Sequence, residues 1–164
     1  MHLYVRRSQS CGSITYMKKS IIYTAVFAIL ILLIIFGYYA ISPLFRHIKV
    51  DEQAPVSTSV IKDSQIIIGT SGHPASGTVR IIKDRDTAYI RYENFKTING
   101  PDVYIYLAND LDAKDFISVG QLKATEGNVN YEIPAGIDVG KYRYIMMWCK
   151  QFGVLFNYAD ISQK

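Results

Sequence analysis

The 164-residue sequence predicts an all-β fold, an antiparallel β-sandwich of the Greek-key type, preceded by one transmembrane α-helix. Three observations predict it. Ile21 to Ile41 is an unbroken apolar run without charge, Asn, Gln or Pro, and as a helix it spans roughly 30 Å. From Gln65 onward, short stretches of β-branched and aromatic residues alternate with turn signals about every 8–12 residues. The 13 Tyr, 7 Phe and 1 Trp supply enough bulk for a folded core and exclude a disordered chain.

The first element is the apolar run. Its middle, Ile29 to Phe36, has no amphipathic period, so it suits lipid all round better than the flank of a domain. Ser42-Pro43 ends it, and Tyr38 and Tyr39 occupy the place of an interfacial aromatic belt. Arg6, Arg7, Lys18 and Lys19 precede the run and Arg46 and Lys49 follow it. The positive-inside bias then puts the N-terminus in the cytoplasm and residues 42–164 outside, in a single-pass cell-membrane topology. A cleaved signal peptide is the competing reading. The stretch is long for one, and Ala40, the small residue near its end, has bulky Tyr38 two positions before it. An uncleaved signal-anchor is therefore expected. Met17-Lys18-Lys19 reads like the natural start of an exported chain, which would make residues 1–16 a matter of start-site choice.

Four segments follow from this reading: a cytoplasmic stretch 1–20, the anchor 21–41, a linker 42–64 and a domain 65–164. The linker mixes Pro43, Pro55, Ser57, Thr58 and Ser59 with scattered charges and shows no period, as a spacer would. In the domain, Ile66 to Ile68 ends at Gly69, and Thr78 to Lys83 ends at Asp84-Arg85-Asp86. Thr87 to Phe95 places Ala88, Ile90 and Tyr92 on one face and Tyr89, Arg91 and Glu93 on the other. Asn99-Gly100-Pro101-Asp102 is a turn, with Asp102 read as its hydrogen-bonding residue. Val103 to Leu107 alternates, Phe116 to Leu122 is shorter, and Asn130 to Ile133 ends at Pro134-Ala135-Gly136. Tyr142 to Cys149 and Val154 to Ile161 close the chain. A small barrel is the alternative architecture. One helical turn is expected near Asp112 to Phe116.

The net charge of +4 lies entirely within residues 1–64, while residues 65–164 balance. A nucleic-acid-binding domain carries its positive charge on the folded part, so no nucleic-acid partner is expected. The partner expected from the apolar run is the lipid bilayer, through residues 21–41. Two Cys and three His leave few options for a metal, and none is expected. A blue-copper site needs two His beside its Cys, and the domain holds one, His73. No CxxC, CxxCH, HExxH, GxSxG or Walker pattern occurs, which argues against a hydrolase.

The strand with chemistry is Tyr142 to Cys149. Ile145, Met147 and Cys149 share one face, and Tyr144, Met146 and Trp148 the other. Cys149 stands at the strand-to-turn edge, where a side chain is either packed or presented. Cys11 lies across the membrane in this topology, so Cys149 has no partner in its own chain. It is either a free thiol or an intermolecular partner, or else a small buried core residue. One Cys also suffices for a thiolate haem ligand. His73, in Gly72-His73-Pro74, is either an exposed loop residue or a base for Cys149.

Three segments resemble the DM-thirteen domain family. They are His73 to Thr78; Glu93-Asn94-Phe95 through Asn99-Gly100-Pro101-Asp102 to Tyr106-Leu107; and Gly120 to Lys123 with Tyr131 to Pro134, Trp148-Cys149-Lys150 and Phe156 to Ala159. Together they span about residues 66–161. The resemblance implies a β-sandwich-like extracytoplasmic electron-transfer module built around one family cysteine, either as a bare thiol or holding a group such as haem. The matching position is Cys149, which the resemblance makes a candidate redox thiol serving an unknown redox partner protein at the cell surface. The competing function is a surface binding or adhesion module, with Cys149 as core filling and the Gly69–Gly77 and Asp110–Asp115 loops as the binding surface.

Overall fold

The computed structural model describes residues 13–42, 47–56 and 59–162. Arg6, Arg7, Cys11, Pro43, Arg46, Ser57 and Thr58 lie outside the described residues. The chain divides into two units, Met1–Ile41 and Ser42–Lys164. The first contains one helix, α1 (Ser13–Ile41), within which Lys19–Tyr39 is long and apolar enough to cross a membrane. Length and composition fit a membrane span and a signal sequence equally.

The second unit is a β-sandwich. Its strands are β1 (Lys49–Asp51), β2 (Ser59–Ile66), β3 (Ile68–Gly69), β4 (Ala75–Asp84), β5 (Thr87–Thr97), β6 (Val103–Ala108), β7 (Phe116–Gln121), β8 (Glu126–Glu132), β9 (Tyr144–Cys149) and β10 (Val154–Asp160). One sheet has the order β1-β8-β5-β4-β2 and the other β3-β10-β9-β6-β7. Every pairing is antiparallel except β1 with β8. The non-consecutive neighbours β8-β5 and β9-β6 arise because the chain changes sheet between them.

Alternation explains what each sheet turns inward. Ile90 and Tyr92 of β5 meet Val79 and Ile81 of β4, and all four are buried. Phe95 joins them out of phase. A bulge at Asn94 (φ 49°) inserts the residue that resets the parity. From the other sheet come Ile105, Leu107, Ile145, Met147, Cys149 and Phe156, in the same continuous core. The outer face of that second sheet carries a smaller aromatic cluster, with Met146 and Tyr106 buried among Tyr104, Trp148, Leu155 and Tyr158.

The structure corrects the reading of 42–64 as a spacer. Lys49–Asp51 pairs with β8, and Ser59–Ile66 pairs with β4. The physical reason for the miss lies in the residues themselves. β1 is three residues long, and β2 is an exposed edge strand with Lys62, Asp63 and Ser64 in its middle, so neither alternates cleanly. The chain after β1 also covers the outer face of the first sheet. Arg91 points away from the core, yet is only 5% exposed. Its Nη1 donates to the Glu52 carbonyl at 2.7 Å and to Asn130 Oδ1 at 3.0 Å. Glu52 Oε2 accepts the Asn130 backbone N–H at 2.7 Å.

The turn expected near Asp112 to Phe116 is not helical. The Asp110 carboxylate accepts the backbone N–H groups of Asp112, Lys114 and Asp115, which holds the loop as a non-helical cap. Those bonds, the one from Lys114 foremost, hold its pKa below the ordinary carboxylate value. A 3-10 turn stands at Val139–Lys141 instead, with Asp138 as its N-cap.

The core gives this domain an alkaline limit. Burial, above all, pushes Tyr131 up to about 12 and raises Tyr92 as well. The folded state therefore keeps the neutral phenol, while the unfolded chain ionises near its ordinary value of about 10. Stability is complete below that pH and is lost as pH rises towards 12. Tyr131 alone accounts for roughly 2–3 kcal/mol of the loss. Urea midpoints measured across the alkaline range should fall there, and Tyr131→Phe should flatten the fall.

Candidate functional site

The strand β9 positions Cys149. Its neighbours in register are Val103 of β6 and Val154 of β10, so Cys149 closes one end of the second sheet. The side chain turns inward with Ile145 and Met147, which share its face, and is 0% exposed. The strand-to-turn edge thus packs the thiol rather than presenting it.

The turn Asn99–Asp102 lies over this end. Asn99 Oδ1 accepts the Gly100 N–H at 2.9 Å, and the Asp102 carbonyl accepts the Lys150 N–H at 2.8 Å. Asn99 supplies the turn's side-chain bond and Asp102 contributes its backbone. Gly100 is buried against Val103 and Phe156. A Cβ there would stand 2.6 Å from Val103 Cγ2 and 2.9 Å from Phe156 Cζ.

His73 reaches the same end from the other side. Its ring stacks on Phe156, with centroids 4.1 Å apart. Thr70 Oγ1 donates to the Leu155 carbonyl at 2.7 Å and lies 3.2 Å from His73 Nδ1. The Nδ1–Oγ1 hydrogen bond ties the ring to the Thr70 loop, its direction set by the imidazole tautomer. The structure gathers His73, Phe156, Gly100, Val103 and Cys149 at one end of the sandwich. His73 and Cys149 are linked there through Phe156 and Val103, not by a hydrogen bond of their own.

Sequence reasoning missed a buried polar cluster beside Cys149. Asn157 is fully buried and donates to Thr97 Oγ1 and to the Met147 sulfur, both at 3.3 Å. Met147 and Cys149 are two apart on the inner face, so two sulfurs and one amide share this part of the core. The Phe156-Asn157 pair carried the only signal, an Asn inside an apolar strand.

Haem ligation does not fit this arrangement. A thiolate ligand needs an open coordination face, and Cys149 lies within the continuous apolar core. Among the described residues no group of three or more His, Cys, Asp or Glu is placed to hold a metal ion. The two loops read as one binding surface lie apart. Gly69–Gly77 is at the Cys149 end, while Asp110–Asp115 follows Ala108, which pairs with Tyr144 at the other.

A family model described as Electron transfer DM13 matches residues 68–161, more than half of the chain. The chain belongs to the DM13 family. Its matched span runs from β3 to just past β10, and so contains the whole Cys149 end. β1 and β2, which complete the first sheet, lie before it. No match was found among curated proteins or among solved structures. Family membership makes this a redox-related module.

Proposed function

We propose that this DM13 chain is a membrane-anchored, extracytoplasmic redox accessory whose electron-carrying group is Cys149, serving a partner protein at the cell surface. Residues 21–41 act as an uncleaved single-pass anchor with the N-terminus in the cytoplasm. The observation that carries the reading is the match to an electron-transfer family over the sandwich that holds Cys149. The thiol reacts when the Asn99–Asp102 turn lifts. A small hydroperoxide then oxidises it: an S–O bond forms, the O–O bond breaks, and the leaving oxygen departs as water or alcohol. A low-molecular-weight thiol condenses with the sulfenic acid, releasing water, and a second thiol frees Cys149 as a disulfide leaves. His73 is proposed as the residue that steadies this end through Phe156.

One observation favours a second reading. Complete burial in an apolar core is also what a structural cysteine shows, and the sandwich is then a recognition module. Cys149→Ala separates the two. On the redox reading, native protein treated with a hydroperoxide yields a sulfenic acid that dimedone capture and peptide mass place on residue 149, apart from Cys11. The variant yields none at that position and loses its cellular activity, while its stability changes by only about 1 kcal/mol. If the wild-type thiol reacts only after denaturation and the variant keeps its activity, Cys149 is core filling.

A further inference from the structure

We infer that the Cys149 end of the sandwich is a lipid-docking end, with the β9–β10 hairpin tip resting in the headgroup layer of an anionic phospholipid bilayer. The inference rests on the membrane-anchored reading above.

Three observations converge. The first is the tip itself. Lys150-Gln151-Phe152-Gly153 is a four-residue turn in which Phe152 is 60% exposed beside exposed Lys150. A lone aromatic next to a cation, at the end of a rigid hairpin, is the pair that interfacial anchoring uses: a ring for the acyl boundary and an ammonium for lipid phosphate. The second is where the chain joins the sandwich. The Ile48 N–H bonds Thr125 Oγ1 at 2.9 Å, and His47 borders Pro74, Ala75, Lys96, Thr97 and Ile98. Thr97 and Ile98 lead straight into the Asn99–Asp102 turn, whose Asp102 carbonyl holds Lys150. The chain therefore joins at the end that carries the tip. The apolar run closes at Ile41, and six peptide steps to His47 reach at most roughly 20 Å. An anchored chain cannot carry its joining end farther than that from the lipid.

The third observation is charge. The opposite end carries the acidic turns Asp84–Asp86 and Asp110–Asp115 with Asp138 and Asp160, and Lys83, Arg85, Lys114, Lys141 and Arg143 among them leave it with more acidic than basic groups. The docking end presents Lys150, Lys96 and His47, with Asp102 and Glu126 among them. Anionic lipid repels the first end more than the second.

Trp148, the only Trp in the sequence, sits next to this tip and serves as an intrinsic reporter. The full chain is reconstituted in vesicles of phosphatidylcholine and phosphatidylserine, with a nitroxide quencher carried on the lipid headgroup. Trp148 fluorescence is expected to be quenched. Phe152→Ser should reduce that quenching by about two-fold or more, and Lys150→Glu should weaken it further in low salt. Circular dichroism checks that both variants keep their strands. Trp148 quenched only by an aqueous quencher, or equally in wild type and Phe152→Ser, overturns the docking end, whether water or another protein meets the tip. Alkaline carbonate extraction of the same vesicles tests the anchor separately. A chain that stays with the lipid while Trp148 is unquenched sinks the docking end alone, and a chain that is released sinks both.

Discussion

Gly100→Ala is expected to cost the sandwich about 1–3 kcal/mol and, in the same protein, to accelerate labelling of the native Cys149 thiol. The added methyl would stand 2.6 Å from Val103 Cγ2 and 2.9 Å from Phe156 Cζ, and both side chains are fixed in the core. Neither can give way without disturbing its strand, so the turn must rise. Val103 is the register partner of Cys149, and a raised turn opens the end of the sheet where the sulfur lies. Urea unfolding gives the first effect and the rate of maleimide labelling gives the second. A variant that loses stability but labels at the wild-type rate would show that the turn does not control access to the thiol.

Gly127→Ala should have a still larger effect on stability, about 3 kcal/mol or more. Gly127 has φ 110°, a conformation that L side chains rarely adopt. Its added Cβ would fall on the carbonyl oxygen of Val50, a backbone atom with no rotamer to change. β1 must leave β8. The Glu52 carbonyl then leaves Arg91, which keeps Asn130 and Glu93 but loses its 2.7 Å backbone acceptor and its cover. Hydrogen exchange at the Glu52 amide, which donates to the Asn128 carbonyl, reads this directly. Protection that survives the substitution would mean that β1 holds on by other contacts.

The parts of the fold visible in the sequence are those governed by period two. The faces of β9 follow from parity: Ile145, Met147 and Cys149 enter the main core, and Met146 and Trp148 enter the outer cluster. The parts that were not visible depend on distance or on a single residue. β1 pairs in parallel with a strand far along the chain, and nothing local in Lys-Val-Asp announces that. Arg91 reads as a solvent-facing strand residue, because its cover comes from Glu52. Phe95 is inward only because Asn94 bulges. At the candidate site, the residue types and the strand edge around Cys149 were legible. The choice between packing and presenting the thiol was not, because it depends on the first sheet closing over the inner face of β9 to make one continuous core.

The partner of Ile48 stands 77 positions later, at Thr125. A ribosome delivers the amino-terminal end first, so β1 is made long before the strand it needs. β4 and β5 can zip at once through their two-residue turn, since short loops close at little entropic cost. Completion of the first sheet waits for residues 126–132 to emerge. Until then the nascent chain exposes an unpaired edge and an unsheltered arginine, and this half-made form is the one a folding helper would meet.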